Sequence, residues 1–418
     1  MMIDSIAELL SAKVDDWKIL ERMVDGRELF FIKDSLDMNR AKRTHKFFVT
    51  IYSDFEKEGK LYRGSSDFTI YPGMKKDEIK SLIEENIFSS KFVENPYYPV
   101  VNEKHTVSKI DPSEPDLDRM IQDFPFKSEG VWINSSEFFL NRIEERIINS
   151  KGIDVSNKMY RLYVEMITTA KSKEEVELYW SFERSYPLVK MEIEEAMMAT
   201  RDRAEAIPTP DVKDLPVILS GESVGEFFKY PLYKTSGLYI YEHLSDLKKG
   251  DRINGNFTMW IDPHVEGSAY SLNYDEDGFL CRKVKIIENS TVVNIWADVR
   301  YAYYLGIEPT GHLTNFVVEC GNESEKSFED GKYLKVLSFS DFQMDPVTGD
   351  FGGEIRLGWY GDGKKRVAVT GGSISGNITK CDFVLSSEYQ LTGNFKGPKS
   401  LKITGAQVGG KRSTPHHL

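Results

Sequence analysis

The stretch Ile207-Pro208-Thr209-Pro210 constrains the fold most, because two prolines one residue apart cannot continue a helix, which places the main domain boundary there. The sequence changes texture across it. Upstream, Val189, Ile193, Ala196, Met197, Thr200 and Ala204 recur at helical spacing, which predicts a long amphipathic helix ending at the prolines. Downstream, short apolar runs separated by Gly, Asn and Asp predict strands at 257–261, 284–287, 292–295, 316–318, 334–339, 355–360 and 367–369. Only two helices are expected there, one after Gly221 and one near Ala297 to Leu305, closed by Gly306. A chain of 418 residues suggests two or three domains at roughly 150 residues each. The expectation is an α+β protein: an N-terminal mixed α/β domain, 1–207, built of strands-then-helix units, and a mostly antiparallel β-rich C-terminal domain, 208–418.

Within the first part, Ile3, Ile6 and Leu10 predict a helix, and Phe30 to Phe31 and Phe47 to Tyr52 predict strands. Ile79, Leu82, Ile83 and Ile87 predict a second helix after the Pro72-Gly73 turn. The polar, proline-bearing stretch 102–115 reads as a loop and a possible subdivision. Runs at 138–150, 153–156, 160–168 and 176–182 read as strands, with Asn149-Ser150-Lys151-Gly152 as the turn between the first two. Arg40 to Lys46, five basic residues with no aromatics between them, reads as a solvated loop.

Charge narrows function. With 66 Asp and Glu against 54 Lys and Arg, the net charge is −12, which argues against a direct nucleic-acid role. Three cysteines, Cys281, Cys320 and Cys381, form no disulfide framework, so a reducing, cytoplasmic setting is expected. The acidic start of the sequence predicts a first helix rather than a signal peptide, and no window approaches the run of about 18 apolar residues of a membrane span.

Four segments could carry chemistry. Gly221-x-Ser223-x-Gly225 between a strand and a helix has the form of a nucleophile elbow, with a triad of Ser223, Asp262 or Asp298, and His312 as the serine-hydrolase alternative. No His-Gly-Gly segment precedes it, and the strands that follow do not alternate with helices. Asp262 and His264 lie two apart, but two ligands do not hold zinc, and they read as an ordinary strand-end pair. Asn273-x-Asp275-x-Asp277-Gly278 has the start of a calcium loop but Val284 where the bidentate Glu belongs, so it reads as a hairpin turn. Gly371-Gly372-Ser373-Ile374-Ser375-Gly376-Asn377 lacks the lysine and helix of a phosphate loop.

Taken in order, several motifs resemble the TldD/PmbA family. They are Asn149-Ser150-x-Gly152, Asp275-Glu276-Asp277-Gly278 followed by Val284-Lys285-Ile286-Ile287-Glu288-Asn289, Ala302-Tyr303-Tyr304-Leu305-Gly306, Pro309-Thr310-Gly311, Thr348-Gly349-Asp350-Phe351, Ile374-Ser375-Gly376-Asn377, and Leu401-Lys402-Ile403 with Val408-Gly409-Gly410. The resemblance implies a family whose TldD branch comprises zinc metallopeptidases with His-Glu-x-x-x-His at the helix opening the second domain. That motif falls on Gly221-Glu222-Ser223-Val224-Gly225-Glu226: Glu222 matches the catalytic glutamate, while Gly221 and Glu226 replace both histidines. Cys381 lies near, but a few residues before, the place of the branch's cysteine ligand. Glycine offers no donor, and without zinc Glu222 has no metal-bound water to deprotonate. The resemblance therefore implies the PmbA (TldE)-like branch, a non-catalytic or weakly active subunit that binds extended peptides. No cofactor is expected, or zinc if the site is rebuilt from other ligands. The partner implied is a second copy or a zinc-bearing TldD-like subunit. A stand-alone peptide-binding scaffold is the third reading. For Glu222 and Glu226 the plain alternative is negative charge at the first turn of a helix.

Overall fold

The computed structural model describes residues 2–105 and 112–410. Part of the 102–115 loop, 106–111, lies outside the described residues; its flanks carry neither helix nor strand.

The first sheet is built from long antiparallel strands. Helix α1 (Met2–Ser11) precedes β1 (Asp16–Ile32), β2 (Ser35–Lys57) and β3 (Lys60–Ile70), and helix α2 (Lys76–Ser90) closes this unit. The short β4 (Asn95–Pro96), α3 (Leu117–Gln122) and β5 (Lys127–Ser128) lead to β6 (Val131–Asn149), β7 (Asp154–Lys171) and β8 (Glu175–Arg184), closed by α4 (Lys190–Ala204). The two strands-then-helix units join into one sheet, ordered β4-β3-β2-β1-β6-β7-β8. Strict period-2 alternation gives the sheet two faces. On one face, Trp17, Ile19, Phe47, Val49 and Ile51 pack under α1 and α2, and Leu29, Phe31, Phe138, Leu140, Leu162 and Val164 pack with Ile193, Ala196 and Met197 of α4. Met197 of α4 is buried, whereas Met191 and Met198 are exposed.

Two expectations change here. Arg40 to Lys46 is not a loop but part of β2, because it pairs across the ladder with the long strand β1, with Arg40 opposite Glu28 and Arg43 opposite Asp25. The runs 153–156 and 160–168 form one strand, since the intervening Asn157, Lys158 and Met159 keep the register against β6.

From Ile207 onward the chain forms two further sheets. One is ordered through the strands 382–385, 400–404, 217–220, 333–344, 350–361, 366–370 and 207–208; the other through 291–292, 284–288, 259–261, 316–318, 395–398 and 389–392. Pairing is mostly antiparallel, with parallel pairs at 217–219 with 334–336, 316–317 with 395–396, and 369–370 with 207–208. Their shared core holds Leu219, Phe227, Phe228, Phe257, Phe383 and Phe395, with Phe227 edge-on to Phe383 at 5.2 Å between centroids. The helices expected after Gly221 and near 297–305 are present, and two short ones, Lys229–Lys234 and Gly237–Tyr241, join them. Pro231 masked the first of these in the sequence, although a proline near the first turn costs no helical hydrogen bond. The protein is α+β, with a mixed N-terminal part and a β-rich remainder.

Candidate functional site

The motif segment sits where a strand meets a helix. Strand Val217–Ser220 is fully buried and runs through Gly221 into the short helix Glu222–Phe227. Gly221 has φ +72° and ψ −142°, a combination that only glycine adopts without strain. Its carbonyl accepts hydrogen bonds from Gln390 Nε2 at 2.9 Å and from the Val224 amide at 3.2 Å, which hold the turn. A Cβ built there would meet Leu337 at an ordinary 3.7 Å, so the demand for glycine comes from the backbone and not from crowding. Gly225 is required for the opposite reason: a Cβ would lie 3.0 Å from the Phe395 ring.

The side chains of this helix point to different neighbours. Glu222 stands at the surface and is hydrogen-bonded to Ser181 of β8. Surrounding protein raises its pKa, and the nearby Glu226 carboxylate adds to the rise. Glu226 is tied to Lys229. Ser223 is buried and its Oγ donates to the Ser220 carbonyl at 3.1 Å. The proposed triad partners lie in other networks: Asp262 pairs with Lys283 at 2.7 Å, Asp298 accepts from the Tyr301 amide, and His312 meets Asp277 at 3.1 Å. Cys381 belongs to the hydrophobic core, where burial pushes its thiol pKa up and disfavours the thiolate that a metal requires.

Ser181 connects the motif helix to the other face of the first sheet. It lies directly opposite Glu165 on β7, which lies opposite Glu137 on β6, which lies opposite Phe30 on β1. The adjacent row runs through Glu183, Tyr163, Phe139 and Glu28. The result is an acidic and aromatic strip leading to Glu222. Tyr163 and Tyr179 both donate to Glu165 Oε2, at 3.0 and 2.6 Å. Burial and the facing Glu165 carboxylate raise the Glu137 pKa, as expected for like charges paired across a ladder. Burial and the bond to Glu165 likewise raise Tyr179. Sequence reasoning missed this strip, because cross-strand register is not visible until the strands are paired. The only available signal was the alternation Glu137, Phe139 and Tyr163, Glu165.

A second cluster joins the sheet to the rest of the molecule. Asp275, Asp277 and His312 place their ligand atoms within 4.8 Å of one another, close enough to hold an ion. The acidic turn is a hairpin as expected, with Tyr274 bridged to Leu280. Asp275 Oδ1 accepts from the amides of Asp277 and Phe279, and its Oδ2 from that of His312. Lys18 of β1 bonds Asp277, which with His312 holds that carboxyl well below the usual range, against the cost of burial. Although burial favours the neutral ring, the two carboxylates push His312 up to about 9. Two carboxylates thus face an ammonium and an imidazolium. With the Lys18 ammonium bonded to Asp277, the formal charges of the cluster balance. His264 meets Asn273 Oδ1 at 2.8 Å rather than any ion-binding group.

The motif helix thus sits at a strand-to-helix turn within the β-rich part of the chain. Residues 212–410 match the family model described as the PmbA/TldA metallopeptidase C-terminal domain. That match covers the C-terminal part of the chain, which is similar to the PmbA/TldD family. The chain is 27% identical over 205 residues to a zinc metalloprotease TldD homolog of Saccharolobus solfataricus, covering 48% of this chain and 43% of that protein. It is 24% identical over 178 residues to an uncharacterised protein of Methanocaldococcus jannaschii, covering 39% and 42%. The chain thus spans less than half the length of these curated relatives. The crystal structure of TldE from Thermococcus kodakarensis superposes with a TM-score of 0.79 at 16% identity over 97% of this chain and 99% of that one. A protein of Thermotoga maritima described as a modulator of a DNA gyrase gives 0.80 at 14% identity over 98% and 100%. Among the described residues no helix is long and apolar enough to cross a membrane.

Proposed function

We propose that this chain is a metal-free, non-catalytic member of a peptide-processing metallopeptidase assembly, with its border between domains at 207/208 and a zinc-bearing TldD-like subunit as its partner in the cytoplasm. The observation that carries the reading is the backbone of Gly221. Where a zinc-binding relative needs a histidine, this chain has a residue without a side chain in a conformation that histidine avoids. Glu226, in the place of the other histidine, is neutralised by Lys229. The residues of this helix do not fit zinc, so no step of the chemistry is assigned to it. In this reading Glu222 orients through Ser181 and does not act as a base.

An extended peptide would lie across the acidic strip that ends at Ser181 and Glu222, with its basic or neutral side chains against Glu137 and Glu165. Glu165→Gln is expected to weaken capture of a lysine-containing extended peptide several-fold while leaving a neutral peptide unchanged, measured by fluorescence polarisation. Peptide hydrolysis tests the larger reading: none by this chain alone, and turnover when a separately purified zinc-bearing relative is added. Turnover by the chain alone that disappears in Glu222→Gln would overturn it. Ser223 is assigned a structural role from its bond to the Ser220 carbonyl. Labelling by a fluorophosphonate probe is expected to be the same in wild type and Ser223→Ala, and the variant should lose about 1 kcal/mol of stability with that hydrogen bond.

A further inference from the structure

Strand β2 is partnered on one side only for half its length. Its pairing with β1 runs from Ser35 to Tyr52, but its pairing with β3 begins at Phe47. The other edge of Ser35–Lys46 has no strand against it among the described residues, and Ser35 through Arg43 are all exposed. An open edge of this length presents a row of unpaired backbone N–H and C=O groups, a template for another strand. Proteins blunt such edges with proline, a bulge, a covering element or charged side chains; over Met38–Lys46 no proline or bulge interrupts the strand, and the basic residues Arg40, Lys42, Arg43 and Lys46 guard it against strands that carry no opposite charge.

Side chains on this edge specify the kind of strand that fits. Met38, Arg40, Lys42, Thr44 and Lys46 share one face by period-2 alternation. Arg40 is held by Glu28 and Arg43 by Asp25, whereas Lys42 and Lys46 make no ion pair among the described residues. The edge is basic on a chain whose net charge is −12. Antiparallel pairing with a second copy would set Arg40, Lys42, Arg43 and Lys46 against the same residues, with Asp37 alone to offset them, and facing like charges destabilise a ladder. The edge is also remote from the motif helix. Four strand spacings, roughly 19 Å, separate β2 from β8, so a strand bound here does not reach Glu222.

We propose that the open edge of β2 accepts, by antiparallel addition, an acidic edge strand of a different protein, with carboxylates opposite Lys42 and Lys46 and an apolar side chain opposite Met38. Because the three positions are four residues apart, the complementary strand reads acidic-x-x-x-acidic-x-x-x-apolar from its N-terminus. The proposal is independent of the peptide-processing reading.

The probe is a capped, fluorescein-labelled peptide Glu-Thr-Val-Thr-Glu-Thr-Val-Thr-Ile, titrated to millimolar concentration against the whole chain, with hydrogen exchange of the protein followed by mass spectrometry. Expected are binding with slowed exchange over 35–46, and at least tenfold weaker binding when alternate peptide amides are N-methylated or when both Glu are replaced by Lys. The Lys42→Glu, Lys46→Glu variant should lose the acidic peptide and gain the lysine one with an unchanged melting temperature. Unslowed exchange over 35–46, equal binding of the N-methylated peptide, or sedimentation as a dimer already protected over 35–46 would overturn the proposal.

Discussion

Replacing Gly221 and Glu226 together by histidine is expected to give a destabilised protein that still takes up no zinc. The substitution restores the spacing of a His-Glu-x-x-x-His helix on paper. The backbone opposes it: φ +72° with ψ −142° lies in a region nearly closed to residues with a Cβ, and holding a histidine there costs about 1–3 kcal/mol. Relaxing to a negative φ would turn the Gly221 carbonyl away from Gln390 and the Val224 amide. The third donor is no better placed, because Cys381 lies in the core with its thiol held in the neutral form. Thermal unfolding and elemental analysis check both halves of the expectation. Gly221→Ala should show most of the destabilisation without a new donor. An unchanged melting temperature with one zinc per chain would show that the turn is plastic and that only side chains separate this chain from a metal-binding relative.

Lys18→Met is expected to destabilise the protein by about 2–4 kcal/mol, discounted for partial exposure from the range for breaking a buried ion pair. Lys18 and Asp277 keep about a fifth of their side-chain surface, 21% and 23%. Removing the ammonium leaves Asp277 beside Asp275 with His312 to balance them. The Lys18→Met, Asp277→Asn double variant should recover part of the loss, since it also removes the uncompensated carboxylate. His312 gives the network a pH dependence. Its folded-state value of about 9 is above the ordinary histidine value, so its stabilisation is fully present below about pH 6.5 and is lost as pH rises through 9. His312→Asn should flatten the alkaline limb of melting temperature against pH, whereas its acid limb should persist, because the lowered Asp277 loses its stabilisation as pH falls.

Periodicity carried much of the fold. Ile3, Ile6 and Leu10, the apolar stripe of α2, and the 189–204 helix with its proline stop stand in the structure where spacing places them. The Arg40 to Lys46 segment was illegible for a physical reason. Its strand conformation is imposed by pairing with β1, not by apolar residues of its own, and composition alone describes a loop. The acidic turn at 275–278 was legible as a hairpin, but its charge balance was not, because Lys18 comes from a strand more than 250 residues away in sequence. At Gly221 the sequence displayed the missing donor and concealed the backbone conformation that makes the loss hard to reverse. The strip from Phe30 to Ser181 depends on the register of three ladders, which no local window contains.

The most direct test of the central claim is the metal content of the untagged protein, purified without chelators and measured by elemental mass spectrometry beside Glu222→Gln and Glu226→Ala. The account expects no stoichiometric zinc in any of the three, with unfolding insensitive to added chelator. One zinc per chain in the wild type, lost in either variant, would contradict it and place a rebuilt metal site on the helix that Gly221 opens.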